Sequence, residues 1–311
     1  MDVLILAGGM SHERDVSVRS GRRVLEALRG RGVNASVRDV DASLVPTLRA
    51  LKSGVVWPLL HGASGEDGSL QALLELTGTP FVGTSSSRAR VAWGKSVAKE
   101  VLGRISISSA DSVSLPQTLF RDVGAEQVLD LISERFSFPL VVKPASGGSA
   151  LGVSLVTERS ELSRAMVHCF AYCDVAMIER ALLGTEVAVS VVGSGDAAKA
   201  LPAVEILSNG PYDYDARYNA GRVEYFAPAR LDAESMGAVM SVALEAHREL
   251  QLRDYSRIDM IIEAGVPHVI DINIAPGMTE TSLFPQAVRA SGEDLGALCE
   301  RIAAEALHRG A

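Results

Sequence analysis

The stretch Tyr255-Ser-Arg-Ile-Asp-Met-Ile-Ile-Glu-Ala-Gly-Val-Pro-His-Val-Ile-Asp-Ile-Asn-Ile-Ala-Pro-Gly-Met-Thr279 reads as two apolar runs, Ile258–Ile262 and His268–Ile274, joined by a short link containing Gly265. That pattern predicts a β-hairpin. Arg257 and Asp259 are two apart on the first strand and Asp271 and Asn273 two apart on the second, so each pair shares a face. A turn centred on Gly265 sets Asp259 opposite Asp271 and Arg257 opposite Asn273, with the two carboxylates roughly 5 Å apart at Cα. Like charges there repel, and the flanking Ile and Val argue against a well-solvated surface. A bound cation resolves the conflict, and two Asp with an Asn amide suit Mg²⁺. The plainer alternative is a solvent-facing polar row on an edge hairpin. A two-residue turn, by contrast, shifts the register and splits the carboxylates between faces.

The remaining chain sets bounds on that reading. Its 311 residues exceed one ordinary domain, and 47% hydrophobic residues suffice for two or three cores. A net charge of −8 argues against non-specific nucleic-acid binding. Cys169, Cys173 and Cys299 are few, odd in number and without zinc-ligand partners, which points to a reducing compartment. Cys169 and Cys173, four apart, are expected on one helix face. No stretch approaches eighteen uninterrupted apolar residues, as a spanning helix needs, so a cytoplasmic protein is expected.

Val3–Ala7 is an apolar run ending in Gly8-Gly9, the form of a buried parallel strand entering a tight turn. A helix through Val16–Leu28, strand Ala35–Asp39, helix Leu44–Leu51 and strand Val55–Leu60 complete a βαβαβ unit, which predicts a parallel sheet covered by helices. The Gly-x-Gly-x-x-Gly dinucleotide fingerprint is absent. Glu13 and the segment His61–Gly68 both fall at carboxyl ends of strands, where functional groups of such sheets gather. Glu13 equally suits a helix cap, and His61 equally suits a structural role.

A boundary is expected near residue 86, followed by a helical stretch carrying Arg88, Arg90 and Lys95. Strand Pro139–Pro144 places Lys143 immediately before the glycine-serine loop Ala145–Ser154, whose N–H groups can fold over phosphate oxygens, though no P-loop Gly-Lys-Ser/Thr closes it. Strand Val175–Arg180 carries Glu179, and Glu186 opens the next strand. The polar, aromatic segment Ser208–Asn219 reads as a functional loop. Helix Asp232–Leu250 then leads to the hairpin.

Taken in order, Gly8-Gly-Met-Ser-His-Glu-Arg-Asp-Val-Ser17, Leu60-His-Gly-Ala-Ser-Gly-Glu-Asp-Gly68, Val142-Lys-Pro144, Tyr212-Asp-Tyr-Asp-Ala-Arg-Tyr218, Arg257-Ile-Asp259 and Asp271-Ile-Asn-Ile-Ala-Pro-Gly-Met-Thr279 with Ser282-Leu283 resemble the D-alanine–D-alanine ligases of the ATP-grasp superfamily. The resemblance spans nearly the whole chain. It implies an α/β and α+β protein: an N-terminal parallel-sheet α/β substrate domain (1–86), then a two-domain ATP-grasp fold with a central lid domain (87–180) and a C-terminal catalytic domain (181–311). It implies ATP and Mg²⁺, two ions in all with Mn²⁺ as an alternative, a D-amino acid substrate, no membrane or nucleic-acid partner, and a homodimer.

By the same resemblance Lys95 and Lys143 are phosphate-binding lysines, Glu179 an adenine-side residue and Glu186 a ribose contact. Asp259, Asp271 and Asn273 are the metal ligands. Glu13 holds the first amino acid's ammonium with Ser149 and Tyr218 as partners, and Arg257 faces the acyl centre. His61 lies on the substrate side, and Ser282 and Leu283 receive the second substrate's carboxylate. The implied reaction makes D-alanyl-D-alanine through an acyl phosphate, for peptidoglycan precursors. The sequence departs from the family in Asp271 for a glutamate, Arg217 for a lysine, Ile274 for a threonine, and a lid reading Ser146-Gly-Gly-Ser-Ala150. Those departures motivate a second reading, a specialised relative acting on another D-amino acid in secondary metabolism, self-resistance or ring closure. A third is a nucleotide-binding regulator without turnover.

Overall fold

The computed structural model describes residues 1–51, 53–148, 150–208 and 223–310. Strands β1 (Asp2–Leu6), β2 (Asn34–Arg38) and β3 (Gly54–Pro58) form a parallel sheet in the order β2-β1-β3. From Val3 to Leu6 β1 is apolar because both of its faces are covered there. Val3 and Ile5 join one core, and Leu4 and Leu6 join another with Leu44, Leu48, Leu74 and Phe81. Helix Arg14–Gly30 lies on the first side, with Val24 and Leu28 inward.

The second sheet, β4 (Ser112–Pro116), β5 (Leu140–Pro144), β6 (Ser154–Val156) and β7 (Val175–Arg180), is antiparallel in the order β4-β7-β5-β6. Its apolar face packs on helices Ala125–Arg135 and Leu162–Phe170. The third sheet comprises β8 (Thr185–Val192), β9 (Lys199–Ala200), β10 (Val204–Ser208), β11 (Val223–Phe226), β12 (Tyr255–Glu263) and β13 (Val266–Asn273). Its order is β11-β10-β8-β12-β13, with β9 on β8. Helix Ala233–Glu249 covers one face of it through Val239, Ala243 and Ala246, beside Ala89, Ala92 and Leu102 from helices Ser86–Trp93 and Lys95–Gly103. Asp232 caps the longer helix, accepting from Ser235 N at 2.7 Å.

The last two helices, Leu283–Ala290 and Leu295–Arg309, bury Phe284, Leu298, Ile302 and Ala306 against Val3, Ile5 and Trp57 of the first sheet. Trp57 donates to the Tyr255 hydroxyl at 3.1 Å, and Tyr255 stacks edge-on against both Trp57 and Phe284. One aromatic cluster therefore ties the first sheet, the third sheet and the C-terminal helices together. Each such ring pair adds roughly 0.5–1.5 kcal/mol beyond area burial.

Two local expectations are corrected. Helix Leu162–Phe170 ends before Cys173, so Cys169 and Cys173 do not share its face; Cys173 Sγ instead lies 3.5 Å from Ser146 Oγ in the glycine-serine loop. The stretch bearing Arg88, Arg90 and Lys95 is two helices, broken where Gly94 turns extended at φ −84°, ψ 96°. Among the described residues no helix is long and apolar enough to cross a membrane.

Candidate active site

The hairpin pairs Arg257 with Asn273 and Asp259 with Asp271, as the sequence requires, but by a different route. Glu263 pairs with Val266, so the loop is the two residues Ala264 and Gly265, at φ 51° and 81°. Both positive values are what a type I′ hairpin loop demands. Taken alone, that turn misaligns the carboxylates. The register is restored by a β-bulge: Asp259 faces Asp271 while Met260 faces Val269, leaving Ile270 as the extra residue. The carbonyl of Ile270 accepts from Lys143 Nζ at 3.2 Å. The device that aligns the carboxylates thus also gives Lys143 an acceptor.

Both facing carboxylates are paired with the protein's own cations. Arg257 donates from Nε to Asp259 Oδ1 at 2.6 Å and from Nη2 to Oδ2 at 2.8 Å, and Asp259 is 1% exposed. The Lys95 ammonium pairs with Asp271. Lys95 opens its helix, and its N–H donates to Ala145 O at 2.9 Å, fastening that helix to the start of the glycine-serine loop. Asn273 Oδ1 accepts from Ala275 N at 3.0 Å.

Glu179, on β7, lies beside Lys143, on β5. Its Oε1 is 2.5 Å from Lys143 Nζ, and its Oε2 accepts from Lys99 Nζ at 2.9 Å. Burial works to raise the Glu179 carboxyl, and the charges of Lys143 and Lys99 outweigh it, so its pKa lies below the ordinary value.

At the first sheet, Gly8 N donates to Ser17 Oγ at 2.8 Å, and that hydroxyl donates to Leu59 O at 2.6 Å. Arg14 holds Gly9 O at 2.7 Å and Asp39 at 2.6 Å. These bonds fix the turn that presents Glu13. Glu13 occupies the cap position of helix Arg14–Gly30 without making a side-chain capping bond, and it is 7% exposed. Its carboxylate lies against Gly62, where a Cβ would come within 3.1 Å of Oε2. Glu66, which the sequence did not single out, accepts from Gly62 N at 2.7 Å. Burial, and then the charge of Glu13, raise the Glu66 pKa well above the ordinary carboxylate value. His61 is uncharged: burial lowers its pKa to about 4 despite a hydrogen bond to the Ala275 backbone. Its Nε2 is buried without a protein hydrogen-bond partner.

A cavity of about 770 Å³ brings Glu13, Lys95, Lys143, Glu179, Glu186 and Asp271 to one lining, under the loop Ser146–Gly148. Leu155, Leu182, Leu183 and Ile261 line it too. A smaller cavity joins Glu66, Lys95, Gly148, Asp271 and Asn273. The larger one suits a ligand with a flat apolar end and an anionic end. Arg257, Asp259, His61, Ser282 and Leu283 contribute to neither lining. Ser282 sits at the cap of helix Leu283–Ala290, its hydroxyl accepting from Thr279 N at 3.0 Å, and Leu283 is buried at the helix start. Ser149, Arg217 and Tyr218 lie outside the described residues. Among the described residues no three His, Cys, Asp or Glu are grouped to hold a metal, so a cation here needs Asn273 and a ligand's own oxygens.

Family profiles described as "D-ala D-ala ligase N-terminus" and "D-ala D-ala ligase C-terminus" match residues 33–84 and 106–304. The chain is 39% identical to the D-alanine–D-alanine ligase of Anaeromyxobacter sp. (strain K) over 302 residues, covering 96% of this chain and 95% of that protein. It is 38% identical to the D-alanine–D-alanine ligase of Geotalea uraniireducens (strain Rf4) over 304 residues, covering 97% and 94%. Among solved structures, the D-alanine–D-alanine ligase from Bacillus anthracis superposes with a TM-score of 0.82 at 27% identity, over 99% of this chain and 98% of that one. The VanG D-Ala:D-Ser ligase from Enterococcus faecalis shares the fold, with a TM-score of 0.85 at 24% identity over 98% and 99% of the two chains. The chain therefore belongs to the D-alanine–D-alanine ligase family, with the ATP-grasp fold.

Proposed function

We propose that the chain is an ATP-dependent ligase joining two D-alanines into D-alanyl-D-alanine for peptidoglycan precursor synthesis. The observation that carries this reading is the cavity that puts a buried acid, Glu13, and two lysines, Lys95 and Lys143, on one lining. An ammonium-bearing substrate and an anionic phosphate chain can therefore lie end to end. The carboxylate of the first D-alanine attacks the γ-phosphorus of ATP, ADP leaves, and the amine of the second displaces phosphate from the acyl phosphate. Glu13 holds the first ammonium, with Ser149 and Tyr218 as the partners that the family resemblance implies. Lys95 and Lys143 stabilise charge gathering on phosphoryl oxygens, and Arg257, held flat by its two bonds to Asp259, faces the oxyanion.

Glu179 and Glu186 take the adenine and ribose side, with Leu182 and Leu183 against the base. His61, at a pKa of about 4, is a hydrogen-bond acceptor for an N–H of the second substrate rather than a strong base. Ser282 and the N–H of Leu283 receive its carboxylate. The donor set of Asp259, Asp271 and Asn273 fits a hard divalent cation, Mg²⁺ or Mn²⁺. Bound there, the cation supplies charge that offsets phosphate oxygens. Closure of the glycine-serine loop excludes water from the acyl phosphate.

The proposed domains are 1–86, 87–180 and 181–311, in a cytoplasmic homodimer. One sheet falls within each span, which supports the division. The deciding experiment is ADP release with ATP, Mg²⁺ and a panel of D-amino and D-hydroxy acids, with products identified by mass spectrometry. D-alanyl-D-alanine as the preferred product is expected. Another preferred product, or stoichiometric ADP without a dipeptide, sinks the reading.

A further inference from the structure

Lys99 lies outside the linings of both cavities, yet it touches the group that controls one of their lysines. Its ammonium makes three bonds: to Glu179 Oε2 at 2.9 Å, to Ala110 O at 2.7 Å and to Ser112 Oγ at 3.0 Å. Three is the full donor capacity of a lysine. Ser112 pairs directly with Glu179 across β4 and β7, so Lys99 is locked to that strand pair. Lys143 sits on the other oxygen of Glu179, with the Ile270 carbonyl as its second acceptor, and it lines the cavity. One buried carboxylate thus bridges two ammonium groups, one saturated and set back, the other facing the ligand space.

We propose that Lys99 is a positioning residue for nucleotide binding, the resident counter-ion of Glu179 that frees Lys143 to engage phosphate. The inference rests on reading the large cavity as an ATP site. When Lys143 turns to a phosphate, Glu179 keeps Lys99 and its charge stays matched. Without Lys99, the same movement strands a carboxylate that is 5% exposed, and an unpaired buried charge is strongly unfavourable. Glu179 then competes with phosphate for Lys143.

The test measures ATP affinity by calorimetry with Mg²⁺ on the full chain, together with kcat and KM for ATP in D-alanine-dependent ADP release. Lys99→Met is expected to weaken ATP binding and raise KM for ATP by about tenfold or more, because the stranded charge is paid on binding. At saturating ATP, kcat stays within about twofold, since a uniform binding loss moves KM alone. In a Glu179→Gln background, where no carboxylate needs a counter-ion, adding Lys99→Met is expected to change ATP affinity by less than about twofold. Unchanged ATP affinity in Lys99→Met overturns the proposal. So does an equal loss in both backgrounds, which marks Lys99 as a mere anchor between its helix and β4. Should Lys99→Met alone not fold, the double variant decides: ATP affinity matching that of Glu179→Gln supports the proposal, and weaker affinity or failure to fold overturns it. ATP binding without D-alanine-dependent ADP release sinks the ligase reading alone, whereas no ATP binding by the unsubstituted chain overturns both.

Discussion

Burial and then the charge of Glu13 raise the Glu66 pKa well above the ordinary carboxylate value, which favours the neutral acid, so its amide analogue should replace it with little loss. Glu66→Gln is expected to unfold in urea within about 0.5 kcal/mol of the unsubstituted chain. Glu66→Ala leaves the Gly62 N–H unpaired and should cost about 1–3 kcal/mol. A large loss in Glu66→Gln would show that the charged form matters. His247 makes a pH prediction. Its Nε2 faces Gly193 O at 3.1 Å, and a carbonyl only accepts, so Nε2 carries the proton and Nδ1 accepts from Ser256 Oγ at 2.7 Å. Burial lowers its pKa to about 4 from 6.5, and the folded ring stays neutral where the unfolded one takes a proton. Stability from the neutral ring is therefore full above pH 6.5 and is lost as pH falls toward 4. The unfolding free-energy advantage of the unsubstituted chain over His247→Gln, measured in urea, should shrink by about 1.4 kcal/mol per pH unit in that window. A constant advantage contradicts the assignment. Asp259 and Asp271 were legible in the sequence because strand periodicity fixes their face. Glu66 was not, because the helix Ala63–Glu66 is a single turn among glycines, and the Lys95, Gly148 and Asp271 that line a cavity with it come from distant segments.

Hairpin β12–β13 was legible as an element, and its bulge was not. Val269 and Ile270 are both β-branched and apolar, and nothing local marks which of them drops out of the ladder. Two alternatives weighed in the sequence, a turn centred on Gly265 and a two-residue turn, each held half of the answer: the turn is the tight one, and the bulge supplies the alignment of the other. Ala264 is the weak point of this element. It holds φ 51° with a Cβ, on an exposed turn, where asparagine fits better. Ala264→Asn is expected to raise unfolding stability by about 0.5–1 kcal/mol without changing KM for ATP. A destabilised variant would mean that the loop is not of type I′. Helix Lys95–Gly103 teaches a similar lesson. Its helical pattern was visible, but the break at Gly94 depends on Ser146 bridging to it from a strand end fifty residues on.

Across the whole molecule, apolar runs marked the first sheet and strands β5, β7, β8, β12 and β13 of the other two, whereas helix periodicity did not say which sheet each helix would cover. The last two helices follow the third sheet in sequence and pack on the first. Their end is fastened by Arg309, which donates to both oxygens of Asp254 and to Phe81 O at 2.9 Å. Asp254, 1% exposed, also accepts from Gly83 N at 2.6 Å. Arg309→Ala should cost about 2–4 kcal/mol in urea unfolding, because it leaves a buried carboxylate short of its cation. A loss under about 0.5 kcal/mol would show that the backbone donor suffices. The shared core has a further consequence for the chain during its synthesis. Val3 and Ile5 share one core with Val24 and Leu28 of helix Arg14–Gly30 and with Ile302 and Ala306, so that side of the opening strand is only partly covered until the chain has been made past Ala306. At roughly 5–20 residues per second, that interval is many seconds. The nascent amino-terminal sheet must wait, under helix Arg14–Gly30 alone on that side, for helices Leu283–Ala290 and Leu295–Arg309 to complete its core.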